Sequence, residues 1–86
     1  PSNSSWDVWY YKIDEGKYAV KLYHDKISTL NIYIYDLNGK LVKQENTLIN
    51  EGENALPLDL QGISRGQYIL NIKSTERNKS FRLLLD

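Results

Sequence analysis

The sequence predicts an all-β fold, an antiparallel β-sandwich of about seven strands, and three observations support this. Apolar side chains alternate along the chain, as Tyr18, Val20 and Leu22 do, with the period of a strand that is half-buried in a sheet. Nowhere do apolar residues recur at the spacing of an amphipathic helix. Turn-forming residues interrupt the alternating segments about every 8 to 12 residues, which is typical of two antiparallel sheets packed face to face.

The individual strands follow from this alternation and from the turn residues between them. Asn38 and Gly39 favour a hairpin turn because both residue types accept the positive φ of a tight primed turn, and Gly16 ends a similar turn. Pro57 cannot donate a hydrogen bond to a neighbouring strand, so we expect its strand either at a sheet edge or with the proline on its unpaired side. Residues 61–66 are expected to form a tight turn and no helix. The strands are expected over residues 7–13, 17–23, 30–36, 40–49, 54–60, 67–73 and 79–85.

The length of 86 residues suits a single small domain. We expect residues 6–86 to form the β-sandwich, and residues 1–5, which are small and polar, to be a flexible start or the end of a linker. The chain has no cysteine, so packing alone must stabilise the fold. An immunoglobulin-like (Ig-like) β-sandwich is therefore predicted in architecture only, without the disulfide of antibody domains.

Charge and hydropathy narrow the class of partner. Eleven basic and eleven acidic side chains give a formal net charge of zero, so no broad basic surface for nucleic acid is expected. No apolar run approaches the roughly 18 residues of a membrane-spanning helix. No charged segment followed by an apolar segment opens the chain, so no export signal is seen in it. The chain contains no methionine, including at position 1, so we expect either a processed start or a segment of a longer protein.

The residue types needed for catalysis or for metal binding are scarce. The one histidine, His24, has no nucleophile motif with it and is expected to be an ordinary histidine of a surface loop. One histidine without cysteine cannot complete a zinc site. A calcium loop starting at Asp36 would need a glutamate at its twelfth position, where the chain has Thr47. We therefore expect a protein that is not an enzyme, with no catalytic, cofactor-binding or metal-binding residue.

Aromatic residues are the most unusual feature of the composition. Segment 6–11 alternates, so one set of its side chains is expected in the core, and the other over a sheet edge or a neighbouring domain. A second hypothesis concerns Tyr33 and Tyr35, which lie opposite the core face of their strand. With Tyr23 they would form an exposed aromatic platform that stacks on sugar rings, which would make a glycan the ligand.

Several segments resemble the C-terminal sorting domain of type IX secretion substrates. Segment 34–42 is similar to a strand, turn and strand signature of that family, and segment 51–60 to its next strand. Segment 63–72 contains Gly66 and Tyr68, which resemble the Gly-x-Tyr strand of the family, and segment 79–85 resembles its closing strand. The chain also resembles a family of small exported proteins of unknown function from gut bacteria of the Bacteroidetes type.

The resemblance implies a non-catalytic, exported module for recognition and sorting. In such a module the secretion machinery reads the folded surface and the final strands, and a sortase-like protease then removes the domain from its passenger. The chain would then be found in the periplasm, at the cell surface or outside the cell. Two alternatives stay open, a stand-alone small secreted β-sandwich protein and a carbohydrate-binding module that uses surface Tyr and Trp side chains.

The final strand is the candidate site for a protein partner, either the secretion machinery or an attached passenger domain. A strand at a sheet edge offers N–H and C=O groups to which a receptor strand can add. Its apolar side chains would complete the core at the same time. The candidate recognition residues are Lys79, Phe81, Arg82, Leu83, Leu84 and Leu85.

Overall fold

A computed structural model of the chain describes residues 7–86, which form seven β-strands and no helix. Each strand begins and ends within two residues of its expected bounds. No helix in this part of the chain is long and apolar enough to cross a membrane. The strands are β1 (Val8–Asp14), β2 (Lys17–His24), β3 (Ser28–Asp36), β4 (Leu41–Ile49), β5 (Gly52–Asp59), β6 (Gly66–Lys73) and β7 (Asn78–Leu85).

The strands form two antiparallel sheets, one with the order β1-β2-β5 and one with the order β4-β3-β6-β7. When the strands are lettered by the immunoglobulin convention, β1-β2-β5 matches A-B-E and β3-β6-β7 matches C-F-G. Strand β4 then pairs beside C, at the place of C′. This arrangement confirms the prediction of an all-β, Ig-like sandwich.

The core lies between the two sheets and is built from the alternating apolar positions. Val20, Ile34, Leu70 and Leu83 are completely inaccessible to solvent. They come from strands of both sheets, so the core joins the two layers. Burying such side chains stabilises the fold by about 1.5–3 kcal/mol for each residue.

The aromatic segment near the start alternates as expected. In β1, Val8 is buried and Tyr10 packs against the core, whereas Trp9 and Tyr11 are exposed on the opposite face. Trp6 lies outside the described residues, and so does the segment 1–5 that was expected to be flexible.

The turn before β6 gives the Gly-x-Tyr segment a structural role. The Tyr68 hydroxyl donates a hydrogen bond to the Ser64 carbonyl at 2.6 Å, and the Tyr68 ring is buried. In immunoglobulin-like domains a tyrosine at the start of strand F forms the same kind of bond to the backbone upstream, and β6 is strand F here. Gly66 precedes it with φ of 144°, a backbone conformation that suits glycine. This part of the motif therefore stabilises the corner between the two sheets.

The position of Pro57 confirms the expected edge strand, since β5 pairs with β2 alone. The tight turn expected over residues 61–66 is also present, and the Ile63 N–H donates to the Leu60 carbonyl at 3.2 Å. Asn38 differs from its expected conformation, because among the described residues only glycines, including Gly39, have a positive φ. The hairpin therefore is not a primed turn, and Asp36 closes it as described below.

The prediction that His24 is an ordinary histidine of a surface loop is wrong. It is the last residue of β2 and is 3% exposed, on the same face as Leu22. Its Nδ1 atom lies 3.0 Å from the Lys26 carbonyl oxygen, which is within hydrogen-bond distance. The strand continues one residue further than expected, and the alternation that buries Leu22 also buries His24.

Candidate recognition surface

Strand β7 lies at an edge of the four-stranded sheet and pairs only with β6. The alternation of the strand divides the six candidate recognition residues into two groups. Leu83 and Leu85 are buried in the core, and Phe81 packs against it. Arg82 and Leu84 point away from the core and are exposed. The side chains available to a partner at the end of β7 are therefore Arg82 and Leu84.

The remaining candidate, Lys79, lies beside Phe81 at the margin of the sandwich. The Lys79 Nζ atom is 5.4 Å from the centroid of the Phe81 ring, within the range of a cation–π interaction. The Phe81 ring in turn meets the Tyr10 ring edge to face, with 5.5 Å between the centroids. Both candidates therefore help to close the side of the sandwich where β1 and β7 meet.

Two tyrosine hydroxyls from the opposite sheet cover carbonyl groups of β7. The Tyr10 hydroxyl donates to the Arg82 carbonyl at 2.8 Å, and the Tyr18 hydroxyl donates to the Leu84 carbonyl at 3.4 Å. A receptor strand that added to β7 would compete for these oxygens. The edge of β7 is therefore less open than the sequence led us to expect, because tyrosines of β1 and β2 protect it.

A row of side chains crosses all four strands on the outer face of this sheet. Leu41 lies opposite Tyr35, Tyr35 opposite Ile69, and Ile69 opposite Arg82. Leu84 is the diagonal neighbour of Ile69 on β7, at the distance where long side chains still interact. We call these five residues, Leu41, Tyr35, Ile69, Arg82 and Leu84, the outer row.

The outer row combines apolar area with one positive charge. Leu41 is 43% exposed and Leu84 is 55% exposed, and Arg82 is exposed too. Tyr35 and Ile69 are half-buried between them. The centre of a protein–protein interface is more apolar than its rim and enriched in aromatic and Arg side chains, and the outer row has both features.

The hairpin next to the outer row is held in one conformation by Asp36. Its Oδ1 atom accepts hydrogen bonds from the backbone N–H groups of Asn38 and Lys40, both at 2.9 Å. Its backbone also bonds to Gly39 and Lys40 across the turn. Leu37, at the tip, is exposed beside this hydrogen-bonded turn. Asp36 therefore sets the direction in which the hairpin extends from the outer row.

The three tyrosines expected to form one platform do not lie on one surface. Tyr33 and Tyr35 stack on the outer face of the four-stranded sheet, with 6.2 Å between their ring centroids. Tyr23 belongs to β2, in the other sheet, and points away from the core on the opposite side of the sandwich. The prediction of a platform of three rings is therefore wrong. Alternation predicts which face of a strand a side chain lies on, but not the sheet to which the strand belongs.

Charged groups at the surface pair with one another. The pKa of Lys12 is raised by a hydrogen bond and by the charge of Asp86, and the pKa of Lys26 is raised in the same way by Glu76. The described residues contain no group of three His, Asp or Glu side chains that could hold a metal ion.

Comparison with known proteins gives a family for this chain. The model of the secretion system C-terminal sorting domain matches residues 15–86, which begin directly after β1 and include every strand of the outer row. No curated protein matches the chain. Because the family model covers most of the chain and the strands form the two antiparallel sheets, the chain belongs to the family of type IX secretion system C-terminal sorting domains.

Proposed function

We propose that this domain directs the protein attached to it through the type IX secretion system, and that the secretion machinery reads the outer row. One observation carries this proposal. Three of the four segments that resemble the family's motifs, the hairpin of 34–42, the strand after Gly66 and the closing strand, each contribute to this one row, and the fourth, 51–60, lies in the other sheet. A single partner can therefore contact all three segments at once.

The chemistry of the outer row supports recognition by a protein surface. Leu84 and Leu41 offer exposed apolar area, and burying such area is favourable by about 25 cal/mol for each Å². Arg82 at the end of the row can form paired hydrogen bonds with a carboxylate of the machinery. The row thus has an apolar centre and a charged end that fixes the orientation of the partner.

The protection of β7 favours docking on this face over strand addition. The hydroxyls of Tyr10 and Tyr18 already bond to the carbonyls of Arg82 and Leu84. Strand addition would break both bonds before it formed new ones. Docking on the outer row leaves both hydrogen bonds intact, so its free-energy cost is lower than that of strand addition.

The family also supports the rest of the proposed role. The domain acts by binding, without catalysing a reaction, and its passenger lies on the N-terminal side of β1. We propose that the passenger crosses the periplasm and reaches the cell surface or the medium.

To test the proposal, a reporter protein with a signal peptide is fused in front of residues 1–86 and expressed in a bacterium that has the type IX system. We expect the reporter at the cell surface or in the medium, and in the periplasm of a strain without the outer-membrane translocon. Arg82→Glu should retain much of the reporter in the periplasm. Lys73→Glu is the matched control, since it makes the same charge change at the other end of the same face. A reporter that stays in the periplasm with the unmodified domain contradicts the proposal.

A further inference from the structure

The outer face of the three-stranded sheet carries a second exposed apolar surface, at its β1 edge. Trp9 and Tyr11 lie on the face of β1 that points away from the core, and Ile13 follows them where the register of the strand shifts; the three side chains are 45%, 43% and 62% exposed. We call these three residues the β1 stripe. Contiguous apolar surface of this kind on a small domain marks a site of interaction.

The neighbouring strands extend the β1 stripe across the sheet. Tyr11 lies opposite Ala19, and Ala19 lies opposite Pro57, so an apolar row crosses all three strands. Ala19 is only 4% exposed although it faces outward, between these two neighbours. Beside the row a hollow of about 250 Å³ is lined by residues of all three strands, Ile13, Lys17, Tyr18, Pro57, Leu58 and Asp59. A side chain of a partner can enter this hollow while the rest of the partner covers the row.

The place of the β1 stripe in the chain indicates which partner it serves. The sorting family is matched from residue 15 onward, so the stripe lies in a part of the chain that the family model does not describe. It also lies on the opposite side of the sandwich from the outer row, because β1 and β7 belong to different sheets. A passenger of a C-terminal sorting domain is attached ahead of β1, so β1 is the strand nearest to it along the chain.

We propose that the β1 stripe, with Ala19 and Pro57, is the docking surface for an apolar patch of the attached passenger. Because the two parts are covalently linked, the passenger is present at a high effective concentration, and a small apolar interface is enough to hold it. Docking there fixes the orientation of the passenger and leaves the outer row accessible. The proposal depends on membership of the sorting family but not on the outer row being the surface that the machinery reads.

The experiment uses the purified full-length precursor, with the photoreactive residue p-benzoylphenylalanine in place of Tyr11. After irradiation, peptides joined to position 11 are identified by mass spectrometry. We expect intramolecular crosslinks to apolar residues of the passenger. The same residue in place of Tyr33 is the matched control, because it lies on the other sheet, and we expect no crosslink to the passenger from that position.

Other results overturn the proposal. Crosslinks between two precursor molecules would show that a second copy covers the stripe, and crosslinks only to residues 1–6 would show that the chain covers its own stripe. The absence of any crosslink would show that the stripe is free in the precursor. If the variant at position 11 does not fold, the same experiment at Trp9, which is equally exposed, decides the question. Loss of secretion in an outer-row variant would not change any of these results, so the two proposals fail separately.

Discussion

The protection of β7 by tyrosine hydroxyls can be tested by the substitution Tyr10→Phe. This change removes the hydroxyl that donates to the Arg82 carbonyl at 2.8 Å and keeps the ring that packs against Phe81. The buried apolar area is therefore nearly unchanged, so any loss of stability reports on the hydrogen bond. The Arg82 carbonyl lies at a sheet edge, where water can replace the lost donor.

A net hydrogen bond contributes about 0.5–1.5 kcal/mol, and access of water to the acceptor places Tyr10→Phe in the lower half of that range. For a domain of this size, each 1 kcal/mol lowers the melting temperature by roughly 4–8 °C, so we expect a decrease of about 2–8 °C. Tyr18→Phe should have the smaller effect, because its bond to the Leu84 carbonyl is longer, at 3.4 Å.

The assay is thermal and urea unfolding of the purified domain, followed by tryptophan fluorescence. The urea m-value should not change, since the substitution leaves the exposed area on unfolding the same. Tyr33→Phe is the control, because it removes a hydroxyl on the outer face of the four-stranded sheet and keeps the ring that stacks on Tyr35, and it should change stability by less than about 0.5 kcal/mol. If Tyr10→Phe is as stable as the unmodified domain, the hydroxyl does not stabilise the edge of β7.

The double variant Tyr10→Phe with Tyr18→Phe should also self-associate more than the unmodified domain, because it frees two edge carbonyl groups. Sedimentation velocity measures this self-association.

Three further predictions concern the core, the corner and the surface charges. Leu83→Ala should destabilise the domain by about 2–5 kcal/mol in urea unfolding, because Leu83 is completely buried. Leu84→Ala, one residue away and 55% exposed, should cost less than about 0.5 kcal/mol, and equal effects would contradict the assigned faces. Tyr68→Phe should lower the unfolding free energy by about 1 kcal/mol, because it removes the bond that closes the turn before β6. The pKa of Lys26 is raised by Glu76, so the contribution of this pair should be complete at neutral pH and lost as the pH rises past 10.5. Unfolding of Glu76→Gln at a series of pH values checks this, and a difference from the unmodified domain that persists at high pH would contradict it.

The strands could be predicted from the sequence because nearly every one has a core face and an outer face. Antiparallel strands of this kind show a period of two, and glycines at the turns mark where they end or begin. The alternation of Leu30 and Ile32 with Asn31 therefore predicts both the strand and its buried side. The same rule extends to His24, so its burial could have been found by continuing the period of β2 one step further.

The pairing of the strands could not be predicted in the same way. Alternation says which side chains share a face of one strand, but it does not say which sheet that strand joins. Alternation therefore places both Tyr23 and Tyr33 on outer faces and suggests one shared aromatic platform, although β2 and β3 lie in different sheets. The bond from Tyr10 to the Arg82 carbonyl joins residues 72 positions apart, and it has no local signal in the sequence.

Recognition of the outer row by the secretion machinery is best tested by the exported fraction of a reporter that carries this domain with a single leucine changed. Leu84→Ser lies at the outer row, and Leu48→Ser changes a leucine of similar exposure on the outer face of the other edge strand, β4. Both variants should fold with nearly unmodified stability. We predict that Leu84→Ser leaves the reporter in the periplasm, whereas Leu48→Ser is exported like the unmodified domain. Equal export of the two variants would show that the machinery does not read the outer row.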